Sequence, residues 1–257
     1  MSISFYKYQG TGNDFVMIDN RLQSFHKNDA ELVAKLCERR FGIGADGLIL
    51  LEEHPHADFK MVYYNADGNL SSMCGNGGRC IVKFAEQLGI IDTYAKFDAA
   101  DGMHEATIVD SVVSLKMNNV RDVKVSEDHT FLNTGSPHHV EFVNNLAAFN
   151  VAEKGAFLRY NVYGVEGANI NFVEEAEENM FSVRTYERGV EGETLSCGTG
   201  VTAVAIALFE TGRVTANKVF LKTSGGVLTV RFNYSDGLYY DVYLEGPASF
   251  VFKGIWQ

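Results

Sequence analysis

The chain alternates short apolar runs with clusters of turn-forming residues. Runs at 15–18 (Phe-Val-Met-Ile), 48–51 (Leu-Ile-Leu-Leu) and 59–64 (Phe-Lys-Met-Val-Tyr-Tyr) have the length and side-chain content of β-strands. The segment 30–40 puts Leu32, Leu36 and Arg39-Arg40 at helical spacing, which predicts a surface helix. Residues 201–209 (Val-Thr-Ala-Val-Ala-Ile-Ala-Leu-Phe) are apolar all round, so they predict a buried helix, with 81–88 as its counterpart. Further strands are expected at 219–221, 228–232 and 239–244, bounded by Gly225-Gly226 and Ser235-Asp236-Gly237.

Each buried helix follows a cysteine in a Gly-rich turn. One turn is Met73-Cys74-Gly75-Asn76-Gly77 and the other is Ser196-Cys197-Gly198-Thr199-Gly200. The cysteines are 123 residues apart (197 − 74), and other residues repeat at that offset. Gly12 matches Gly135, Gly44-Ala45-Asp46 matches Gly167-Ala168-Asn169, Tyr63 matches Tyr186, and Asn65 matches Arg188. Gly89 matches Gly212, and Gly102 matches Gly225. The period is too long for a solenoid and indicates a duplicated domain. Each half reads as strands plus one central helix, with a boundary near Asn118-Asn119 and a pseudo-symmetric cleft expected between the halves.

Composition narrows the class. The apolar share of 46% and charged share of 21% are those of an ordinary globular protein of one or two domains. No apolar stretch approaches the roughly 18 residues of a membrane span. The start, Met-Ser-Ile-Ser-Phe-Tyr-Lys-Tyr, shows no signal-peptide pattern, so the cytoplasm is the expected compartment, with reduced thiols. A net charge of −11 argues against nucleic acid as a partner, while leaving room for a local anion site.

Several motifs point away from their usual chemistry. Gly42-Ile43-Gly44-Ala45-Asp46-Gly47 fits a dinucleotide fingerprint, but a helix precedes it and a strand follows, the reverse of the required order. Cys74 and Arg79 are one residue too close for a phosphatase loop, and Cys197 has no such arginine. Cys74 and Cys80 lack the second pair that a zinc site needs, so no metal is expected. Cys37 and Cys80 fall inside helical stretches and read as small core residues.

Cys74 and Cys197 differ from those two because each opens a helix. The N–H groups and dipole of a helix N-terminus favour a thiolate and can hold a carboxylate. The adjacent glycines let a ligand approach the backbone closely. If the halves face each other, one thiolate removes a proton from a carbon while the other thiol supplies one. Such chemistry requires no cofactor.

Taken together, these motifs resemble diaminopimelate epimerase over essentially the whole length. The resemblance rests on Gly10-Thr11-Gly12-Asn13-Asp14-Phe15, on 42–47, on Asn65-Ala66-Asp67-Gly68 and on Gly135-Ser136-Pro137-His138. It rests equally on Gly167-Ala168-Asn169, on Tyr186-Glu187-Arg188-Gly189 and on the two cysteine turns. It implies an α+β fold of two pseudo-symmetric β-rich lobes, each wrapped around a central buried helix. The lobes would be 1–118, joined by the C-terminal segment 247–257, and 119–246. It implies a cofactor-independent isomerase interconverting LL- and meso-2,6-diaminopimelate, for lysine and peptidoglycan precursors, with a homodimer as the expected assembly. Cys74 and Cys197 would be the acid/base pair. Gly75, Asn76, Gly198 and Thr199 would clamp the α-carboxylate, and Asn13, Asn65, Asn169, Glu187 and Arg188 would form the polar pocket.

The chemistry of the pocket residues agrees with a substrate that carries an amino-acid group at each end. Arg188 suits a carboxylate with its planar fork, and Glu187 suits an ammonium. Two positions depart from the family. Ser136 stands where many members have Asn, so any contact of that amide must be remade, with water as one bridge. Gly47 stands where some members have Gln, and the role of His138 stays open. A proline-racemase-like enzyme would share the cysteines but need no distal pocket. A phenazine-biosynthesis-like isomerase would lack the paired thiols. A small-ligand-binding protein with inert cysteines is the non-enzyme alternative.

Overall fold

Two compact units divide the chain, Met1–Leu115 with Gly246–Gln257, and Lys116–Glu245. The computed structural model describes residues 2–71, 73–177 and 179–257.

The first unit runs β1 (Ile3–Gly10), β2 (Asn13–Asp19), α1 (Ala30–Cys37), β3 (Gly47–Glu52), β4 (Phe59–Asn65), α2 (Gly75–Gln87), β5 (Tyr94–Ala99), β6 (Gly102–Val109) and β7 (Val112–Lys116). β2 and β3 are parallel, as are β4 and β5. A parallel pair needs a crossover, and α1 and α2 supply them. β3 is buried along all six residues. Leu48 and Leu50 join a core cluster with Val33 and Leu36 of α1. Ile49 and Met61 instead approach Gly77 of α2. A strand covered on both faces must be apolar at every position, which explains the unbroken Leu-Ile-Leu-Leu run.

The second unit repeats the plan. It runs β8 (Lys124–Val125), β9 (Thr130–Asn133), β10 (Pro137–Phe142), α3 (Val151–Phe157), β11 (Asn169–Glu177), β12 (Met180–Glu187), β13 (Gly192–Thr194), α4 (Gly198–Glu210), β14 (Lys218–Thr223), β15 (Gly226–Ser235) and β16 (Leu238–Pro247). A 3-10 turn, Leu146–Ala148, precedes α3, and a π turn, Leu158–Val162, follows it. β10–α3–β11 and β12–α4–β14 are again parallel crossovers. Finally β17 (Ser249–Trp256) lies antiparallel to β1 of the first unit, from Ile3 opposite Trp256 to Gln9 opposite Ser249. This is the α+β architecture of two β-rich, duplicated lobes, each wrapped around a buried helix.

The repeat is real, but its offset is not constant. α2 and α4 each have 13 residues and start 123 apart (198 − 75). Along the hairpins the offset is 122, because Leu48 opposite Tyr64 corresponds to Ile170 opposite Tyr186. After the helices it is 124, from Gly102 to Gly226. Tyr64 therefore replaces Tyr63 as the partner of Tyr186, and Asn65 aligns with Glu187 rather than Arg188. The physical reason is face: Tyr64 packs with α1 and Tyr186 packs on α3. A one-residue slip would turn either ring to the opposite side of its strand.

The first helix also ends sooner than its pattern implies. Asp29 caps α1 by accepting from Leu32 N at 2.9 Å. Glu38 is already extended, and the chain turns back so that Gly42 N donates to Glu38 O and Ile43 N to Leu36 O. A Cβ at Gly42 would lie 2.0 Å from Lys35 O, so only glycine permits this turn. Arg39 and Arg40 thus sit in the turn and not on the helix. No helix among the described residues is long and apolar enough to cross a membrane.

Candidate active site

In the first unit the chain turns at Thr11 and Gly12, both with positive φ (50° and 85°), and delivers Asn13 at the start of β2. Cys74 is the N-cap of α2, with extended backbone (φ −110°, ψ 127°). Its Sγ lies 3.6 Å from Asn13 Oδ1, and Asn76 Nδ2 donates to the same oxygen at 3.3 Å. Asn13 Nδ2 donates to Asp46 Oδ2 at 2.6 Å, which fixes which way its amide faces. Gly78 N donates to Cys74 O as the first helical bond, so the N–H groups that precede it lie at the helix end, where an anion is favoured.

Behind this group lies a charged cluster. Asp14 takes Lys7 at 2.7 Å and Arg39 at 2.8 Å, and Asp46 takes Arg39 at 2.6 Å. Burial pushes the Asp14 carboxyl up, but Arg39 and Lys7 outweigh it and hold the group down at about 2.

The second unit presents the matching helix end. Cys197 is the N-cap of α4 (φ −122°, ψ 112°), and its Sγ lies 3.5 Å from Thr199 Oγ1. Thr134 Oγ1 donates to Thr199 O at 2.8 Å and ties the turn to the loop after β9. Asn171 Oδ1 accepts from Thr185 and would lie 2.5 Å from a Cβ at Gly200, so a glycine is required there for this packing.

Beside it Ser136, Asn169 and Arg188 form one hydrogen-bonded set. Asn169 Nδ2 donates to Ser136 Oγ at 3.0 Å, and Asn169 Oδ1 accepts from Arg188 N at 2.9 Å. Arg188 Nη2 donates to Ser136 Oγ at 3.2 Å and Nη1 to Glu166 O at 2.9 Å. Ser136 therefore bonds directly to both Asn169 and Arg188. Thr194 Oγ1 donates to Glu187 Oε2 at 2.9 Å.

The structure thus gathers Asn13, Gly75 and Asn76 around Cys74. It gathers Gly198 and Thr199 around Cys197, and Asn169 with Arg188 at Ser136. Asn65 stands outside these groups: it ends β4 opposite Gly47, exposed, and shares no hydrogen bond with the Cys74 group. A Cβ at Gly47 would lie 2.5 Å from the Tyr63 ring, so no larger side chain fits with that ring in place. The other two cysteines are core residues, and burial pushes both Cys37 and Cys80 up to about 12.

Five polar partners escaped the sequence reading: Thr11, Asp46, Arg79, Thr134 and Asn171. Arg79 did carry a signal, as a cation just ahead of the apolar run Cys80-Ile81-Val82. His138 is fully buried and stays neutral, pulled down to about 3 by burial and then by the Arg188 charge. Asn171 Nδ2 lies 3.2 Å from its Nδ1, and no described group bonds its Nε2. No group of three His, Cys, Asp or Glu side chains among the described residues is placed to hold a metal ion.

Comparison with known proteins follows the same lines. The family model for diaminopimelate epimerase matches residues 5–122 and 130–251. A protein named diaminopimelate epimerase from Flavobacterium psychrophilum is 57% identical over 250 residues, 96% of this chain and 98% of that one. Among solved structures, a phenazine biosynthesis protein of the PhzF family from Bacillus anthracis superposes with a TM-score of 0.78 at 14% identity, covering 100% and 99% of the two chains. A hydroxyproline epimerase from Agrobacterium vitis superposes at 0.73, also at 14% identity, covering 99% and 92%. At that identity the two structures show a shared fold and nothing finer.

Proposed function

The chain belongs to the diaminopimelate epimerase family, and we propose that Cys74 and Cys197 are the acid/base pair with which it works. It is an isomerase that epimerises diaminopimelate. The finer reading is interconversion of the LL and meso forms by proton transfer at one α-carbon, in the cytoplasm, for lysine and peptidoglycan precursors.

The observation that carries this reading is the matched position of the two thiols. Each caps a 13-residue buried helix with extended backbone, at equivalent points of two duplicated lobes. In the reaction one cysteine, as thiolate, takes the α-proton and becomes a thiol. The electron pair left on carbon delocalises into the α-carboxylate, whose oxygens accept from the N–H groups at Gly75-Asn76 and Gly198-Thr199. The second cysteine, as thiol, gives its proton to the opposite face and becomes the thiolate. Proton count and charge are unchanged, and no electron leaves the system.

The Ser136–Asn169–Arg188 set supports a substrate with a second amino-acid group. The Arg188 fork would take the distal carboxylate and Glu187 the distal ammonium. Asn13 and Asn65 complete the proposed pocket. A proline-type substrate offers nothing for such a set to hold.

Deuterium exchange tests the whole reading. In deuterated water with diaminopimelate, wild-type enzyme should exchange the α-proton, and neither Cys74→Ala nor Cys197→Ala should complete epimerisation. Turnover of proline in place of diaminopimelate would move the enzyme to the proline-racemase-like class.

We also assign a homodimer. The support is a run of exposed apolar residues on β17, namely Phe250, Val251, Phe252 and Ile255. Light scattering on the purified protein should give twice the 28.4 kDa chain mass.

A further inference from the structure

Arg188 stands on an exposed turn, yet two segments of the second unit hold it. The turn that follows β12 carries Arg188 itself. The loop that leads into β11 supplies its acceptors: Glu166 O takes Nη1 at 2.9 Å, and Asn169 Oδ1 takes the backbone N–H at 2.9 Å. The aim of the Arg188 fork therefore depends on how the turn is fixed against the loop.

Arg159 lies where those two segments meet. It comes from the π turn at 158–162, a rare form that is frequent at functional sites. Its Nε lies 3.2 Å from Glu191 Oε1 on the turn, and its Nη1 donates to Gly164 O on the loop at 2.7 Å. The guanidinium also rests on Gly167, where a Cβ would lie 2.4 Å from Cζ and from Nη1. Gly167 has φ 62°, so glycine is required there on both counts. It follows Glu166 directly and precedes Asn169 by two residues, so Arg159 bears on the backbone between the two groups that hold Arg188.

Glu191 answers from the turn, three residues beyond Arg188. Its N–H donates to Glu187 O at 2.9 Å, and its Oε1 accepts from Gly189 N at 3.1 Å, so it closes the chain on both sides of Arg188. Glu191 takes φ 56°, where glycine or asparagine is the less strained residue. Neither of those would bring a charge to Arg159. The Arg159 side chain is only 12% exposed, so the pair is less screened than an ion pair in open solvent. Arg188 differs: among the described residues it forms no ion pair with a carboxylate, and its guanidinium donates to a hydroxyl and a carbonyl. One cation is matched within the fold, and the other is left for a ligand.

We propose that Arg159 and Glu191 are positioning residues: their ion pair clamps the turn that carries Arg188 to the loop that carries Glu166 and Asn169, and so aims the Arg188 fork at the distal carboxylate of the substrate. The inference rests on the reading of Arg188 given above. Arg159 and Glu191 act through Arg188 and not on the reacting carbon, so their loss is felt in substrate binding.

Steady-state kinetics on diaminopimelate test this. Arg159→Ala should raise KM about tenfold or more, the scale of losing a charge-assisted hydrogen bond, while kcat falls far less. Loss of folded protein would lower apparent kcat instead and leave KM alone. Glu191→Gln keeps an acceptor for Gly189 N but loses the charge, and it should move KM in the same direction by a smaller factor. The decisive measurement is the cycle with Arg188→Ala. If the clamp works through Arg188, adding Arg159→Ala to Arg188→Ala should change kcat/KM by less than about twofold. Unchanged KM in both single variants, a loss confined to kcat, or a loss of full size in the Arg188→Ala background would overturn the proposal. If Arg159→Ala does not fold, Glu191→Gln alone and combined with Arg188→Ala decides in its place. Failure of the underlying reading looks different: Arg188→Ala would itself leave kcat/KM near that of the wild type.

Discussion

Asn13 Oδ1 accepts from Asn76 Nδ2 at 3.3 Å and lies 3.6 Å from Cys74 Sγ, so one side-chain oxygen joins the helix end to the thiol. Charges at both ends of the chain orient the two amides: Asp46 accepts from Asn13, and Arg79 donates to Asn76. At Cys197 the corresponding contact is with a hydroxyl, Thr199 Oγ1, 3.5 Å from Sγ. Duplication preserved the position of the thiols and let their surroundings diverge.

The first prediction follows from the two matched N-caps. Cys74→Ala and Cys197→Ala should each lower epimerisation by about a thousandfold or more, the scale of losing a general acid or base. Circular dichroism should remain that of the wild type. Cys37→Ala and Cys80→Ala, which remove buried thiols outside the site, should instead cost about 1–2 kcal/mol of stability with near-normal turnover. A rate assay beside thermal melts separates the two classes, and wild-type turnover in either Cys74→Ala or Cys197→Ala would end the two-base account.

A second prediction concerns Arg188. Lysine in its place keeps the charge but cannot donate to Ser136 and the Glu166 carbonyl while also offering a fork to a carboxylate. Arg188→Lys should therefore lower kcat/KM on diaminopimelate by about a hundredfold, and alkylation of Cys74 and Cys197 should be unaffected. Unchanged kcat/KM would remove Arg188 from the pocket.

The parts of the fold that the sequence revealed are those where one physical demand dominates. β3 lies between two helices, so every position is apolar. α4 is buried all round, so its run is unmistakable. What stayed hidden answers to tertiary contact. α3 has seven residues with Gly155 among them, and it exists because that glycine seats the Tyr186 ring. The repeat was visible through its glycines, but the slip to Tyr64 was not, because which face a tyrosine takes depends on the helix beneath it. At the site, the cysteine turns and Arg188 stood out by motif. Asn65 stood out equally, yet it lies outside the hydrogen-bonded groups. Arg79 carried a signal of its own, a cation just ahead of the apolar Cys80-Ile81-Val82 run, but its partners Asn76, Thr11 and Gly75 are brought to it only by the fold.

A third prediction concerns acid. Asp14 is held at about 2, below the usual carboxylate value of 3.8. A depressed folded value stabilises the protein fully above the unfolded value, and that contribution disappears as pH falls through the folded one. Asp14→Asn should therefore cost about 1–2 kcal/mol at neutral pH, after allowing for the exposed Arg39 partner. The gap between variant and wild type should shrink below about pH 4 and close near pH 2. Denaturant melts over that range provide the check, and a gap that stays constant into acid would show that the Lys7–Asp14–Arg39 cluster is not its source.

The last prediction isolates the packing that holds the second hairpin in register. A Cβ at Gly155 would lie 2.4 Å from Tyr186 Cβ and 2.6 Å from Cγ. Those are the stem of a buried ring, which cannot swing aside as the end of a flexible chain could. Tyr186 lies opposite Ile170 in the hairpin, and it is followed by Glu187 and Arg188 of the proposed pocket. Alanine is the better helix former, so local propensity alone predicts a small gain for Gly155→Ala. Overpacking opposes it at about 1–3 kcal/mol, and it should win here. Gly155→Ala should thus melt several degrees lower. It should also raise KM for diaminopimelate more than it lowers kcat, because the shift reaches Arg188 while α4 and Cys197 stand on a different element. Gly155→Ala combined with Tyr186→Phe tests the geometry, since the ring stem is unchanged and the clash should persist. A stabilised Gly155→Ala variant would mean that α3 moves off the hairpin at little cost, and that Tyr186 is not what sets the register.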